Sequence, residues 1–262
     1  MTSWLERFGL ASRARAEQEM ARRGLDQLEK IIETLPPVRP LAARLAHQAG
    51  PAPRMIAEMK RSSPTAGVLR KEYSPRQIAM GYARVGAAAV SVLTEPDQFG
   101  GDLSHLTEAR ASHLPVLRKD FLVVPYQIAQ ARVAGADAVL LIAALLQGAD
   151  LAEMLGAARR YRIETLVEVH DEQDLGRTLE HSVKLVGINN RDLRSLEVDL
   201  RTCERLAPLV PPGVLRVAES GIKRRADIDR LTGSGFEAFL VGEQLMRAAD
   251  PADELWRLTQ PS

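Results

Sequence analysis

From Arg54 onward, short apolar runs alternate with longer segments of helical period. Each run is apolar nearly throughout, as strands are when both faces of a parallel sheet are covered. The segments between them, such as SPRQIAMGYARVGA and VPYQIAQARVAGA, are amphipathic. A strand followed by a helix, repeated eight times, predicts an α/β fold, a (β/α)8 TIM barrel over residues 54–262. The runs are RMIAEMK, AAVSVLT, LPVLRKD, DAVLLIA, TLVEVH, KLVGINN, VLRVAES and EAFLVGE.

The spacing of these runs supports a closed barrel. They recur about every 25 residues, as repeated supersecondary units do. The segments RVGAAAVSVLT, RVAGADAVLLI and GSGFEAFLVGE share a helix end, a glycine and then a strand, so we expect that glycine to be a left-handed helix cap. A doubly wound open sheet is the alternative, but that fold more usually has a Gly-rich fingerprint after its first strand, and this chain lacks one.

Residues 1–53 have a different pattern. Two helical stretches precede LPPVRPLAARLAHQAGPAPR, whose prolines interrupt any long helix. The segment is too short and too polar for an independent domain, so we predict a short helical N-terminal extension that packs over one end of the barrel. Its frequent charges exclude a secretory signal or a membrane span there and indicate a cytoplasmic protein. At the other end of the chain, Trp256 is expected in the core of the last helix.

The charge balance limits the possible partners. Lys and Arg number 35 against 34 Asp and Glu, a net charge of +1, so no large field draws the chain to nucleic acid or an anionic membrane. Any anionic ligand must be met by a local site. The single cysteine, Cys203, excludes an intrachain disulfide. Most cations are Arg, so each lysine calls for an explanation: Lys30, Lys60, Lys71, Lys119, Lys184 and Lys223.

Polar residues stand at the predicted strand ends, where the reacting groups of such barrels converge. Glu58 and Lys60 are two residues apart on the first strand and therefore point to the same face. Lysine, unlike arginine, offers an exchangeable proton and a pKa that the surroundings can shift. The set predicts an acid/base site, although a single pair such as Lys119 with Glu168 would also fit a structural ion pair. Its members are Glu58, Lys60, Lys119, Glu168 and Glu219, and other polar residues at the strand ends are Asn189, Arg191 and Ser220.

Small residues after the last two strands predict a phosphate site. Gly221, Gly242 and the following Glu243 let backbone N–H groups approach an anion at the start of a short helix. Glycine at such a turn also serves the turn alone, so this signal is weaker than the lysines. In the SSPTAG loop after the first strand, Ser63 would donate to substrate and Gly67 would permit a hinge.

Two further features concern ligands. Phe99 and Phe121 follow the second and third strands. Core packing is the default interpretation for each, and their position at the barrel mouth also fits an apolar wall for a ring-bearing ligand. The histidines show no metal-ligand spacing, and the sequence contains no HExxH or CxxC, so we predict neither a metal nor another cofactor. Most of them are interpreted as surface or helix-end residues: His47, His105, His113, His170 and His181.

With these residues assembled, the sequence closely resembles the indole-3-glycerol phosphate synthase family. The stretch from Ile56 to Pro64, IAEMKRSSP, matches that family's signature around its first strand. The other matches run in the family's order up to Met246: LTEPDQFGGDLSHL, LRKDFLV, ADAVLLI, LVEVHDE, GINNRDL, VAESGI and GEQLM. The family also has a helical extension of similar size.

The resemblance implies a decarboxylating ring closure of 1-(2-carboxyphenylamino)-1-deoxyribulose 5-phosphate in tryptophan biosynthesis. Lys119 would protonate the ribulose carbonyl oxygen as the aromatic carbon attacks, and Glu168 and Lys60 would serve the later dehydration, with the acid of that step left open. Glu58, Asn189 and Glu219 would orient the lysines and bind ribulose hydroxyls, with Ser220 beside them. The phosphate would meet Gly221, Gly242, the Glu243 backbone, Ser63 and Lys60, and the aromatic ring would meet Phe99, Phe121 and Leu140, with Arg191 near the substrate carboxylate.

Two other readings stay open at this point. Another phosphosugar isomerase or lyase of the barrel class would share the phosphate site, and the E-x-K strand with RKDF argues against it. A non-catalytic binding or assembly subunit would not require every expected catalytic position to be occupied. A phosphorylated small molecule is the predicted partner, and the expected state is a monomer or weak homo-oligomer.

Overall fold

The computed structural model describes residues 4–46, 52–192 and 195–261, and within them eight parallel strands close into a barrel. Each strand pairs with its sequence neighbours, and the last pairs with the first, from Arg54 with Ala238 to Ala57 with Val241. The predicted (β/α)8 barrel is confirmed. The strands are β1 (Arg54–Met59), β2 (Ala89–Leu93), β3 (Val116–Lys119), β4 (Ala138–Ile142), β5 (Glu164–Val169), β6 (Leu185–Asn189), β7 (Leu215–Glu219) and β8 (Ala238–Val241).

Alternation along the strands divides the apolar residues between two cores. Inward residues such as Ile56, Leu117 and Leu166 fill the barrel, while outward residues such as Val90 and Val167 pack against the helices. Both faces of the sheet are therefore buried, which explains why the strands are continuous apolar runs in the sequence.

Helices connect the strands and cover the barrel. Glycines with positive φ follow several of them, Gly86 (88°), Gly135 (97°) and Gly235 (88°), which confirms the predicted left-handed caps. Ser62–Ser63 and Gly67–Val68 form a small antiparallel hairpin after β1. The helices are α1 (Trp4–Arg22), α2 (Leu25–Thr34), α3 (Leu41–Leu45), α4 (Pro75–Arg84), α5 (Pro96–Phe99), α6 (Ser104–Ala109), α7 (Pro125–Ala134), α8 (Asp150–Arg160), α9 (Glu172–Leu179), α10 (Arg201–Leu206), α11 (Arg225–Gly233), α12 (Glu243–Arg247) and α13 (Pro251–Thr259).

The N-terminal segment contacts both ends of the barrel. Helix α1 carries Trp4 and Phe8 to the carboxyl ends of the strands, where their rings pack against Phe121. Helix α3, inside the predicted Pro-rich linker, covers the opposite end: Leu41 is buried there, and the Ala42 backbone N–H donates to a Glu164 carboxylate oxygen at 2.8 Å. The sequence predicted contact with one end of the barrel only. Helix α3 is too short for its buried leucines to show a recognisable helical period. Residues 47–51 of the predicted linker lie outside the described part of the chain.

The last helix differs from the sequence prediction. Trp256 on α13 is 52% exposed, so its expected place in the core is wrong. The buried face of α13 is formed by Ala252, Leu255 and Leu258, at helical spacing, and Trp256 lies one position away from that face. Among the described helices, none is long and apolar enough to cross a membrane.

Candidate active site

A cavity of about 610 Å³ opens at the carboxyl ends of the strands, where the sequence predicted the site. Of the predicted site residues, Ser63 lies outside the lining: it is buried in the hairpin after β1, where its Oγ accepts from the Ala66 backbone N–H at 3.2 Å. All the others line the cavity: Glu58, Lys60, Phe99, Lys119, Phe121, Leu140, Glu168, Asn189, Arg191, Glu219, Ser220, Gly221, Gly242 and Glu243.

Lys119, the last residue of β3, reaches across the barrel to two carboxylates. Its Nζ lies 3.0 Å from Glu168 Oε2 on β5 and 3.1 Å from Glu219 Oε2 on β7. Burial disfavours the charged ammonium, but the neighbouring carboxyl groups, Glu168 foremost, outweigh that effect and raise the pKa of Lys119 above its ordinary value. The amine is therefore protonated throughout the neutral range.

The two carboxylates differ in their protonation. Burial raises the pKa of Glu219 to about 8, with the Lys119 ammonium opposing the rise and the Glu168 carboxylate adding to it. Burial acts on Glu168 in the same direction, but Lys119 and His170 outweigh it and hold the pKa of Glu168 below its usual range. One neutral acid and one carboxylate therefore share the lysine at neutral pH.

Two glycines make room for the buried carboxylates. A Cβ on Gly187 of β6 would lie 2.1 Å from Glu219 Oε1, and a Cβ on Gly242 would lie 2.1 Å from Glu58 Oε1. That Glu58 oxygen is also 2.8 Å from Lys60 Nζ. Any side chain at either glycine would displace a carboxylate from its lysine.

Asn189 links the acid/base groups to the loop after β6. Its Nδ2 donates to Glu168 Oε1 at 3.1 Å, and its Oδ1 accepts from the Arg191 backbone N–H at 3.0 Å. The next residue, Asn190, donates to the backbone oxygens of Glu219 and Ser220 at 3.0 and 3.1 Å. These bonds connect β6 to the turn that follows β7.

The turn after β7 has a left-handed backbone. Ser220 and Gly221 both have positive φ, 63° and 80°, and a Cβ on Gly221 would lie 2.6 Å from Val198 Cγ1. No side chain therefore fits at Gly221, where the sequence predicted an anion site. The turn contacts the same cavity as Lys223 and Arg247.

Glu243 stands at this end of the cavity between two arginines. Its Oε2 is 3.7 Å from Arg191 Nη2, and its Oε1 accepts from Arg247 Nε at 3.0 Å. Both cations also line the cavity, so the carboxylate is partly neutralised where an anion would bind.

Aromatic rings form the opposite wall of the cavity. The Phe121 ring centroid lies 6.3 Å from that of Phe99, 4.4 Å from Phe8 and 5.9 Å from Trp4. Trp4 itself lines the cavity, beside Leu140 and Ile142. A flat apolar ligand group would fit against this wall.

A comparison with known protein families covers almost the whole chain. A sequence model of the family described as indole-3-glycerol phosphate synthase matches residues 5–258. The chain belongs to that family. An indole-3-glycerol phosphate synthase of Dehalococcoides mccartyi is 42% identical over 97% of this chain and 99% of its own length. One of Rhodopirellula baltica is 50% identical over 75% of this chain and 76% of its own length.

Solved structures of lower identity share the architecture alone. The 3-hexulose-6-phosphate synthase of Salmonella typhimurium aligns with a TM-score of 0.63 at 13% identity, over 79% of this chain and 96% of that chain.

The family predicted from the strand-end motifs is confirmed, and with it the predicted function, an indole-3-glycerol phosphate synthase acting on a phosphorylated small molecule.

Two residues at the site of this indole-3-glycerol phosphate synthase family member were not predicted from the sequence. Trp4 was not predicted because residues 1–53 were treated as an extension outside the barrel site. His170 was grouped with surface and helix-end histidines, yet its side chain is only 12% exposed and its Nε2 lies 3.2 Å from Glu168 Oε1. Its position two residues after Glu168 was the available signal, because alternate residues of a strand share a face.

The described residues contain no group of three or more His, Cys, Asp or Glu side chains placed to hold a metal ion. His47 lies outside the described residues. The absence of a metal or another cofactor stays a prediction from the sequence.

Proposed function

We propose that the cavity converts 1-(2-carboxyphenylamino)-1-deoxyribulose 5-phosphate to indole-3-glycerol phosphate, with Lys119 as the general acid of ring closure. The observation that carries this assignment is the Lys119 ammonium, held at 3.0 and 3.1 Å by Glu168 and Glu219 inside the cavity. The aromatic rings of Phe99 and Phe121 and the turn at Ser220 and Gly221 line the same cavity.

The two ends of the cavity orient the substrate. The anthranilate ring packs against Phe99, Phe121 and Leu140, while the phosphate accepts from backbone N–H groups near Gly221 and Gly242. The ribulose carbon atoms then lie between them, beside the lysines. Holding both ends places the attacking ring carbon near the carbonyl, which lowers the entropic cost of closure.

In the first step, the ring carbon that bears the carboxylate attacks the ribulose carbonyl carbon. The carbonyl oxygen takes a proton from Lys119, whose raised pKa keeps the amine charged before the step. A developing alkoxide is a far stronger base than an amine, so the proton moves to oxygen. The ammonium also stabilises the developing charge in a site with little water.

In the second step, the bond to the carboxylate carbon breaks and carbon dioxide leaves. The electron pair of that bond restores the aromatic ring. The apolar wall around Phe121 favours loss of the charged carboxylate, because burial there solvates it poorly.

In the third step, the hydroxyl leaves as water and a proton is lost from the adjacent ring carbon. Lys60, paired with Glu58 at 2.8 Å, supplies the proton to the leaving hydroxyl. Glu168, whose pKa is held below its usual range, is a carboxylate and accepts the proton from carbon. Asn189, Glu219 and Ser220 hold these groups and the ribulose hydroxyls.

Purified protein given the ribulotide without added metal should produce indole fluorescence. Lys119→Ala should lower kcat by about 10² to 10⁴ while changing substrate affinity only a few-fold, because a general acid acts in the transition state. Lys71→Ala, an exposed lysine away from the cavity, is the matched control and should behave as the parent. Normal turnover by Lys119→Ala would make Lys119 a structural cation and contradict the assignment.

We also propose that the enzyme works in the cytoplasm as a monomer or weak homo-oligomer. Sedimentation velocity over a range of protein concentrations tests the second part. A single tight oligomer at all concentrations would contradict it.

A further inference from the structure

His170 lies directly after β5, between the acid/base cluster and helix α9. Its Nε2 is 3.2 Å from Glu168 Oε1, and its Nδ1 is 3.7 Å from Asp174 Oδ2. The imidazole therefore has a carboxylate within 4 Å of each nitrogen while its side chain is only 12% exposed. Buried imidazole between two carboxylates is far better accommodated as a cation than as a neutral ring.

Asp174 is itself fixed, although it stands in the first turn of α9. Its Oδ1 accepts from Arg177 Nη2 at 2.6 Å, and its Oδ2 accepts from the His170 backbone N–H at 3.3 Å. Arg177 also donates to the backbone oxygen of Ala143 at 3.2 Å, in the segment after β4. The aspartate is thus tied to two neighbouring strand ends.

The hydrogen bonds and ion pairs of the Glu168 side chain in the described residues come from a lysine, an amide and a histidine. Its Oε2 meets Lys119, and its Oε1 meets both Asn189 Nδ2 at 3.1 Å and His170 Nε2. Charges consequently alternate from Arg177 through Asp174 and His170 to Glu168 and Lys119. These contacts connect Arg177 on α9 to Lys119, the proposed general acid.

We propose that His170 is a positioning residue, held as a cation by Asp174 and Arg177, that orients Glu168 and keeps it an ionised base for the final proton transfer. This inference rests on the proposed role of Glu168. His170 does not line the cavity and acts only through that carboxylate.

The charges that face His170 support this role. Glu168 on β5 and Asp174 on α9 are negative, while Lys119 on β3 and Arg177 on α9 stand beyond them. Burial disfavours the imidazolium, but Asp174 and Glu168 outweigh it and raise the pKa of His170 to about 9. Loss of its proton above that pH would remove the cation next to Glu168 and raise the pKa of that carboxyl.

The pH dependence of kcat/KM in His170→Gln is the decisive measurement, because glutamine keeps a neutral donor and removes the charge. Turnover of the parent should fall as the pH rises through about 9, because loss of the imidazolium charge removes the contact that orients Glu168. In the variant this alkaline limb should be lost, the acid limb should move to higher pH, and kcat at neutral pH should fall about 10-fold with KM changed less than threefold. His181→Gln, at a histidine after α9 that does not line the cavity, should keep the parent's profile.

An activity-independent measurement separates this inference from the proposed function. The Cε1 resonance of His170, assigned by its loss in His170→Gln, should titrate near pH 9 in the free protein and move toward an ordinary histidine value in Asp174→Asn. That result with no indole product would support the contacts of His170 and refute the proposed function. Indole production with His170 titrating near 6.5, or with an unchanged profile in His170→Gln, would overturn the inference.

Discussion

Gly187 lies on the inward face of β6, where an added methyl group would test how tightly the carboxylate layer formed by Glu168 and Glu219 is packed. The Cβ of Gly187→Ala would lie 2.1 Å from Glu219 Oε1 and 3.2 Å from Glu219 Cδ. Ordinary contact requires the carboxylate to retreat by about 1 Å. Lys119 cannot follow freely, because Glu168 holds the same Nζ at 3.0 Å. The 3.1 Å contact between Lys119 and Glu219 is therefore lost.

The size of the effect follows from that displacement. Overpacking a rigid interior costs about 1–3 kcal/mol, so the free energy of unfolding in urea should fall by that amount. A misplacement of about 1 Å in the acid's surroundings should lower kcat by about 10²-fold in the indole fluorescence assay. Substrate affinity should change much less, since Gly187 does not line the cavity.

Gly156→Ala is the matched control, because it adds the same methyl group at a position with free space. Gly156 lies inside helix α8, where an added Cβ would meet only the end of Arg159 at 3.9 Å. The same substitution there should leave kcat unchanged and raise stability by about 0.5–1 kcal/mol. If Gly187→Ala kept the parent's kcat and stability, the carboxylate layer would be free to rearrange and the argument for its fixed geometry would fail.

Three further predictions concern pH, the aromatic wall and the anion end. Because the folded-state pKa of His170 is raised from 6.5 to about 9, its contribution to stability is present below pH 6.5 and lost as the pH rises through 9. Urea unfolding at pH 6 and 9.5 should therefore show a fall about 3 kcal/mol larger in the parent than in His170→Gln, and equal falls would refute it. Trp4→Ala should raise KM about 10-fold with kcat little changed, while Trp256→Ala, exposed on α13, should change neither. Glu243→Gln should strengthen competitive inhibition by inorganic phosphate about threefold, because it removes a negative charge beside the proposed phosphate site at Gly221 and Gly242. Weaker inhibition would count against phosphate binding at those glycines.

Much of the fold was predictable because burial on both faces leaves a direct mark on the sequence. Strands such as β4 and β8 are apolar runs whose length and spacing leave few alternatives to a barrel. Polar residues that interrupt those runs near their ends stand out for the same reason. Glu168 and Lys119 were identified in this way, and alternation correctly placed Glu58 and Lys60 on one face.

The contacts that cross the barrel could not be read from the same pattern. Lys119 binds Glu168 and also Glu219, which is 100 residues away in sequence, and its partners follow from closure of the sheet. Trp4 reaches the cavity only because α1 packs across the strand ends, guided by contacts such as Gln127 Nε2 with Ser12 Oγ at 2.8 Å. Periodicity reports which face of a segment is buried and carries no information about what covers it.

The protonation of the site connects its geometry to an anionic substrate. At neutral pH the raised pKa of Glu219, about 8, keeps that group neutral, so the four cations Lys60, Lys119, His170 and Arg177 face three carboxylates, Glu58, Glu168 and Asp174. The cluster thus carries excess positive charge although the whole chain is nearly neutral. Buried charge of one sign is unfavourable until a ligand of the opposite sign arrives. The proposed substrate supplies a carboxylate and a phosphate, and loss of carbon dioxide removes one of these charges, so the same electrostatics that favour substrate binding weaken the hold on product.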